Sequence, residues 1–184
     1  MLRILGGKHK NRGLYAPKKD STRPTASQLR EALFNICQQK VLGASFLDLF
    51  AGSGAMGCEA VSRGAARVVF VEKDREALRA IRKNVALLEE EGSSHIMGKE
   101  VMSALSFLHE KGEHFDIIYL DPPYGKGWSN QVLTFLDTHP LLAEEGVIFV
   151  EDSTSIEEDF ETLKIHSSRR KGRAYLTELI QRAV

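Results

Sequence analysis

The sequence of 184 residues contains one short motif whose residue types suit a specific reaction, Asp121-Pro122-Pro123-Tyr124, directly after an apolar run. Consecutive prolines fix the backbone and remove two N–H donors, so carbonyl acceptors stay open at the end of the predicted strand. If the Asp121 carboxylate and the Pro122 carbonyl each accept one N–H of a ring-conjugated amine, the nitrogen lone pair becomes available for a direct displacement. Tyr124 is predicted to stack on the ring. We therefore expect Asp121, Pro122 and Tyr124 to be catalytic, with a rigid surface turn as the alternative.

A glycine-rich segment after an earlier predicted strand is a candidate cofactor loop. Asp48 precedes Gly52-Ser53-Gly54 and Gly57, a Gly-x-Gly-x-x-Gly spacing that joins a strand to a helix. Glycine lets the backbone turn tightly and approach a ligand closely, but dinucleotide enzymes carry the same spacing. A carboxylate at Asp48 suits the cationic amino acid end of S-adenosylmethionine and sits poorly beside a pyrophosphate. The segment therefore favours S-adenosylmethionine as cofactor, with Asp48, Gly52, Ser53 and Gly54 as binding residues.

Two further acids follow the next two predicted strands. Glu72 can accept two hydrogen bonds from ribose hydroxyls, with Lys73 beside it in the same binding segment. Glu100 is positioned to receive an adenine amino group, with Val101 packing on the ring. Both acids have a structural alternative. Glu72 could cap the helix that follows it, although Asp74 suits that N-cap better. Glu100 could lie in the first turn of the next helix, where a negative charge is favourable.

The elements that position these residues alternate along the chain. A helical pattern starts after Pro24, with Thr25 or Ser27 as its N-cap. The alternation of strands and helices then predicts a mostly parallel sheet with helices on both faces. The predicted strands are 45–50, 67–72, 95–98, 115–121 and 147–151, the predicted helices are 55–63, 75–89, 101–111 and 130–137, and two extended pieces follow at 163–167 and 175–182.

Charge is unevenly distributed, although the formal net charge is zero. Residues 1–24 form a basic extension, expected to carry a short hairpin, ahead of a single domain at 25–184. A later acidic stretch, which includes Glu151 and Asp152, is expected to face away from the basic residues. Basic side chains attract nucleic-acid phosphates without sequence specificity. The residues predicted to do so are Lys8, Lys10, Arg12, Arg169, Arg170 and Lys171. A solvated arm is the alternative for the extension.

Composition argues against several classes of protein. No segment approaches the roughly 18 apolar residues that span a bilayer, and no apolar signal region follows Met1, so a cytoplasmic protein without membrane contact is expected. Cys37 and Cys58 have no CxxC or CxxH spacing, so neither a metal site nor a disulfide is predicted. A monomer is the default expectation.

The motifs together resemble the Rossmann-like S-adenosylmethionine-dependent methyltransferases and, over nearly the whole chain, the bacterial 16S ribosomal RNA guanine-N2 methyltransferase family. The resemblance rests on Arg3-Ile4-Leu5-Gly6-Gly7, Arg12-Gly13, Thr22-Arg23-Pro24-Thr25, Arg30-Glu31-Ala32-Leu33-Phe34-Asn35, and the segments 48–57 and 121–124.

This resemblance implies a seven-stranded sheet with an antiparallel last strand, and S-adenosylmethionine as the cofactor. It implies 16S ribosomal RNA as the substrate, within the 30S subunit or an assembly intermediate, with guanine N2 as the methylated atom. It also implies that Arg23 and Thr25 lie over the active site, near the target base and the cofactor. Glu100 departs from the aspartate expected in many relatives.

Other functions share part of these features. Protein glutamine N5 methyltransferases are typified by an Asn-Pro-Pro-Tyr pattern, whereas position 121 is Asp. The basic extension would also have no purpose in such an enzyme. A DNA adenine-N6 methyltransferase needs a target recognition domain for which this chain has no room. A nicotinamide-dependent oxidoreductase explains the glycines and Glu72 but leaves the Asp121–Tyr124 motif unexplained. A non-catalytic RNA-binding protein would not need that motif.

Overall fold

The computed structural model describes residues 2–17, 24–157 and 159–183. Within these ranges the chain forms five helices and seven strands. The helices are α1 (Pro24–Ile36), α2 (Ala55–Ser62), α3 (Arg75–Leu88), α4 (Val101–Glu110) and α5 (Trp128–Thr138), and the strands are β1 (Ser45–Leu49), β2 (Arg67–Glu72), β3 (Ser94–Gly98), β4 (Phe115–Leu120), β5 (Leu142–Asp152), β6 (Leu163–Lys171) and β7 (Ala174–Gln181). None of these helices is long and apolar enough to cross a membrane.

The strands form one sheet in the order β3-β2-β1-β4-β5-β7-β6. Strands β1 to β5 pair in parallel, and β7 is antiparallel to both β5 and β6. The carboxyl ends of the five parallel strands therefore meet along one side of the sheet, here called the carboxyl edge, and their amino ends along the opposite side, the amino edge. The predicted α/β architecture with an antiparallel last strand is confirmed.

Helices cover both faces of the sheet, and each layer buries its own core. Helices α1, α2 and α3 pack on one face, around Leu33, Phe46, Phe70 and Ile81. Helices α4 and α5 pack on the other face, around Leu105 and other apolar side chains. Central strands of a parallel sheet are buried on both sides, which explains the uninterrupted apolar run of β2.

Strand β5 departs most from its predicted range, because it begins at Leu142 and not at residue 147. Glu144 and Glu145 interrupt its apolar pattern, and both are exposed. The pairing of β4 with β5 shifts register between Phe115 and Ile117, which accommodates this polar segment at the amino edge. An apolar pattern alone therefore detected only the buried second half of the strand.

The first residues of the chain pack against the domain. Arg3 and Gly13 form an antiparallel bridge, and Ile4 is fully buried in the core beneath α1 and α2. We call residues 2–14 the N-terminal hairpin. The amide groups of Leu5 and Gly6 each donate to the Glu59 carboxylate on α2 at 2.8 Å. The expected short hairpin is present, and it is held by the domain along its length.

Candidate active site

The carboxyl edge brings the predicted acidic residues of the site together. Asp48 lies one residue before the end of β1, Glu72 ends β2, Glu100 follows β3 and Asp121 follows β4. Strands β1 and β4 are directly paired, with Asp48 beside Tyr119 and Leu49 beside Leu120. Neighbouring strands lie about 4.8 Å apart, so the glycine loop and the Asp121–Tyr124 motif start next to each other.

Asp48 is buried beneath the glycine loop, with 1% of its surface exposed. One carboxylate oxygen, Oδ2, accepts the Gly57 N–H at 2.9 Å, and the other, Oδ1, is buried without a hydrogen-bond partner among the described residues. Burial raises the pKa of Asp48 to about 8, since the Gly57 N–H offsets only part of the lost hydration and the nearby Glu72 adds repulsion. A buried acceptor oxygen of this kind lacks a donor that a bound cation would supply.

The loop above Asp48 follows an unusual backbone path. Phe50, Gly52 and Gly54 all have positive φ angles, of 58°, 55° and 76°. A Cβ atom on Gly57 would lie 2.2 Å from Cε1 of Phe70, so glycine is required there for helix α2 to approach β2. The Ser53 carbonyl accepts an N–H from Asn84 of α3 at 2.9 Å, which fixes the loop from its other side. These contacts hold the loop in a fixed shape at the end of β1.

Glu72 fixes the same loop from β2. Its Oε2 accepts the Gly52 N–H at 2.9 Å, and its Oε1 accepts the N–H groups of Lys73 and Asp74 at 2.7 and 2.8 Å. Each carboxylate oxygen has further acceptor capacity, so these bonds orient the side chain and leave lone pairs for ribose hydroxyls. The helix-capping role belongs to Asp74, which accepts the N–H groups of Glu76 and Ala77.

The next two predicted residues pair with each other. Lys73 donates to Glu100 at 2.8 Å across the ends of β2 and β3, and both side chains are more than half exposed. This hydrogen bond raises the pKa of Lys73. Glu100 occupies the N-cap position of α4 without a side-chain capping bond. Val101 is 5% exposed and packs in the core between the sheet and α4.

The Asp121–Tyr124 motif leaves the end of β4 and turns toward α5. Asp121 is half-buried and Pro122 is buried, whereas Tyr124 is 48% exposed. Gly125 and Gly127 follow with φ angles of 74° and 66°. The acid and the proline thus lie at the strand end, while the aromatic ring lies at the surface.

A buried hydrogen bond lies beneath this motif. The Tyr119 hydroxyl donates to Glu151 Oε2 at 2.9 Å, and the two side chains are 5% and 8% exposed. Burial, together with the charges of Asp121 and Glu151, raises the pKa of Tyr119 well above its usual range, and burial raises the pKa of Glu151. The hypothesis of an acidic stretch facing away is wrong for Glu151 and Asp152, because β5 ends at the carboxyl edge.

An aromatic contact joins the cofactor loop to the segment after Tyr124. Phe50 and Trp128, the first residue of α5, lie with ring centroids 5.8 Å apart at an angle of 61°. We did not predict a role for either residue from sequence, although an aromatic residue directly before a glycine loop is a usable signal. A positive φ on a residue other than glycine is uncommon and concentrates at functional sites.

The basic residues predicted to contact nucleic acid divide between the two edges of the sheet. Lys8 pairs with Glu90 and its amide donates to Ser62, both near the amino edge, so the structure does not bring it together with the Asp121–Tyr124 motif. Lys10 and Arg12 are exposed on the same hairpin. Arg169, Arg170 and Lys171 are exposed at the carboxyl edge, where β7 begins beside the end of β5. Arg23 and the side chain of Thr25 lie outside the described residues.

The residues at the carboxyl edge fit S-adenosylmethionine. Among the described residues the buried Oδ1 of Asp48 has no hydrogen-bond donor, and an ammonium group would supply one. The glycines at 52 and 54 allow the left-handed backbone path of the loop, and Glu72 holds acceptor oxygens at the end of β2. Together with the sheet order, this site defines a Rossmann-like methyltransferase.

Comparison with known proteins agrees with that class. Residues 2–180 match the family model described as Conserved hypothetical protein 95. Ribosomal RNA small subunit methyltransferase D of Escherichia coli K12 is 38% identical over 150 residues, which cover 82% of this chain and 74% of that protein. The protein of the same name from Haemophilus influenzae is 34% identical over 152 residues, which cover 82% and 78%.

A solved structure gives the same result. The Escherichia coli protein yhhF, assigned as a methyltransferase, superposes with a TM-score of 0.85 at 30% identity, covering 98% of this chain and 97% of that chain. The chain belongs to the Conserved hypothetical protein 95 family, which is the family of ribosomal RNA small subunit methyltransferase D, and the resemblance inferred from its motifs is confirmed.

Proposed function

We propose that this protein transfers a methyl group from S-adenosylmethionine to an exocyclic amine of 16S ribosomal RNA, with guanine N2 as the target atom. The observation that carries the proposal is the pairing of β1 with β4, which puts the buried, half-satisfied Asp48 carboxylate beside the start of the Asp121–Tyr124 motif. The names of the two bacterial relatives support a small-subunit ribosomal RNA substrate.

The cofactor residues have separable roles in this proposal. Asp48 accepts from the ammonium group, the backbone of Gly52 and Gly54 lies against the amino acid end, and Glu72 accepts from the ribose hydroxyls. Bound S-adenosylmethionine supplies an electrophilic methyl group on its sulfonium. Because Glu72 also accepts the Gly52 N–H, ribose binding and loop shape depend on one side chain.

The catalytic residues act on the amine by orientation. Asp121 and the Pro122 carbonyl each accept one N–H, so the nitrogen lone pair points toward the methyl donor, and Tyr124 stacks on the base. Positioned groups and preorganised acceptors contribute most of the rate in such a displacement. The proton released from nitrogen passes to Asp121 or to water. The exposed ring of Tyr124 is accessible to a base that has been turned out of its stack.

The test is methyl transfer from radiolabelled S-adenosylmethionine to 30S subunits, naked 16S ribosomal RNA and total protein from a strain lacking the gene, followed by nucleoside analysis. We expect label in N2-methylguanosine. Whichever of 30S subunits and naked 16S ribosomal RNA accepts more label is the natural form of the substrate. Label in protein alone would favour a glutamine methyltransferase, and an absence of label despite cofactor binding would refute methyl transfer to these substrates.

A variant pair tests the assignment of Asp121. Asp121→Ala is expected to reduce turnover by about 10² or more while S-adenosylmethionine still binds, which is the usual effect of removing a positioned group. Asp159→Ala is the matched control, since Asp159 is almost fully exposed and its ion-pair partner among the described residues is Arg182 at the surface. If Asp121→Ala retained more than about a tenth of wild-type turnover, the proposed mechanism would be wrong.

A further inference from the structure

A cleft of about 500 Å³ opens between α1 and the β6–β7 hairpin. Hydrogen-bond donors and positive charge lie at its rim, and an apolar floor lies beneath them. Its lining residues are Ala32, Asn35, Ile36, Arg169, Lys171 and Leu176. Of these, Leu176 is buried in the core, whereas Asn35, Arg169 and Lys171 are exposed. None of the described residues that line the cleft carries a carboxylate, so the cleft is suited to an anion.

The cleft separates three basic residues that are consecutive in sequence. Side chains alternate between the two faces of a strand, and Arg169 and Lys171 point to the face that carries α1. Arg170 is directed elsewhere: its Nε donates to the Gly172 carbonyl at 3.2 Å, and its guanidinium lies 5.9 Å from the Tyr175 ring centroid. Within the described ranges, neither Arg169 nor Lys171 forms an ion pair with a carboxylate.

Strand register puts this cleft level with the catalytic motif. Arg169 pairs with Leu176, and Leu176 pairs with Glu151. Val150 pairs with Leu120. Glu151, the next residue on β5, is therefore level with Asp121, the residue after β4. Three strand spacings of about 4.8 Å separate Asp121 from Arg169, which is about 14 Å across the carboxyl edge.

The two positions also share one face of the sheet. Glu151 lies on the same face as Tyr119, because the two side chains are hydrogen-bonded, and that is the face covered by α1. Side chains of residues paired in register point to the same side, so Arg169 projects to that face as well. A strand of RNA whose base is held at Asp121 therefore reaches the cleft within a few nucleotides, without crossing the sheet.

We propose that this cleft binds a backbone phosphate of the RNA strand that carries the target base. An arginine presents a donor fork that matches phosphate, a lysine adds a compact charge, and the Asn35 amide adds a neutral donor. Phosphate contacts of this kind set register and orientation without reading sequence. The inference rests on the proposed RNA substrate. It adds a phosphate-binding site that determines which nucleotide of the bound strand reaches Asp121.

The test is binding of 16S ribosomal RNA and of 30S subunits, measured by filter binding across a salt series, which requires no methyl transfer. Replacing both Arg169 and Lys171 by Ala is expected to weaken binding to the methylated substrate about thirtyfold and to reduce the slope of log K against log salt by about 0.7 to 1.4. Arg170→Ala is expected to have a smaller effect than Arg169→Ala. Affinity for S-adenosylmethionine should be unchanged in all these variants.

A second pair of variants adds charge without removing any cation. Asn35→Asp places a carboxylate in the cleft and is expected to weaken RNA binding about tenfold, the effect of roughly 1.4 kcal/mol. The control for Asn35→Asp is Gln38→Glu, which adds the same charge on an exposed residue outside the cleft. The control for the Arg169 and Lys171 variants is Lys164→Ala, which removes an exposed cation from β6. Both controls are expected to retain RNA affinity within about twofold.

The outcomes separate this inference from the proposed function. If wild-type protein methylates RNA while the Arg169 and Lys171 double variant binds and reacts normally, the cleft assignment is wrong and the function stands. If Gln38→Glu or Lys164→Ala weakens binding as much as the cleft variants, general charge accounts for affinity and the cleft assignment is again overturned. If wild-type protein neither binds nor methylates RNA or 30S subunits, the proposed function itself fails.

Discussion

Replacing Glu59 by Gln is expected to destabilise the whole fold through the N-terminal hairpin. Glu59 is fully buried, accepts the amides of Leu5 and Gly6, and accepts Arg63 Nε at 2.8 Å. Arg30, 5% exposed, has its Nε 3.6 Å from the same carboxylate and donates to the Arg3 carbonyl. Removing the charge leaves a buried guanidinium without its anion, and an amide NH₂ would then face groups that are themselves donors.

The magnitude follows from the burial of this network. Breaking a buried ion pair by removing one partner costs about 3 to 5 kcal/mol. For a chain of this length that loss corresponds to a decrease in Tm of about 6 to 20 °C. Glu113→Gln is the matched control, because Glu113 pairs with Arg67 at the surface, where the side chains are 30% and 41% exposed, and such pairs contribute about 1 kcal/mol or less.

Thermal and urea unfolding measure the free energy, and trypsin cleavage after Lys8, Lys10 or Arg12 reports release of the N-terminal hairpin. We expect cleavage to accelerate in Glu59→Gln and to be unchanged in Glu113→Gln. The role assigned to Glu59 would be refuted if both variants lowered the free energy of unfolding by the same small amount. It would also be refuted if Glu59→Gln unfolded at a lower temperature while the hairpin stayed protected from trypsin.

Further predictions concern the cofactor loop. Because burial raises the pKa of Asp48 to about 8, the free protein keeps this acid protonated below that pH, so affinity for S-adenosylmethionine should rise between about pH 6 and pH 8. Calorimetry should show that this rise is lost in Asp48→Asn, and equal pH dependence in both proteins would contradict the assignment. Glu72→Ala should weaken cofactor binding at least about tenfold in equilibrium dialysis, since both the ribose acceptor and the Gly52 contact are lost. Gly57→Ala should lower the free energy of unfolding by about 1 to 3 kcal/mol, because its Cβ would collide with Phe70; a variant as stable as wild type would show that the packing can adjust.

The sequence predicts most of the sheet because the buried strands carry uninterrupted apolar runs. The predicted range of β2 agrees with the structure at both ends, and Glu72 and Asp121 could be located because parallel strands end at one edge. The hydrogen bonds made there were not predictable. Lys73 turns to Glu100, and Glu72 accepts backbone amides, since these contacts depend on the local path of turns between elements.

The N-terminal hairpin was expected from the sequence, but its packing against the domain was not. Ile4 belongs to a short apolar segment, Leu2 to Leu5, that Arg3 interrupts and glycines follow, so no helical or strand period marks Ile4 as buried. The two amides that follow it, of Leu5 and Gly6, donate to Glu59, which is more than 50 residues away in sequence. Contacts of such long range are not contained in a local pattern. A solvated arm was the alternative for this basic segment, whereas its backbone is bonded to α2 and that of Tyr15, directly after it, to α3.

The contact between Phe50 and Trp128 has a practical consequence for experiments on the protein. Trp128 is the single tryptophan of the chain, and it lies edge-on to a ring of the cofactor loop. Indole fluorescence responds to the immediate surroundings of the ring. The emission of the native protein therefore reports on the contact between Trp128 and the cofactor loop, without an attached dye. Stopped-flow traces of that emission can time the arrival of the methyl donor and the departure of its product, and thereby show whether chemistry or release limits each turnover.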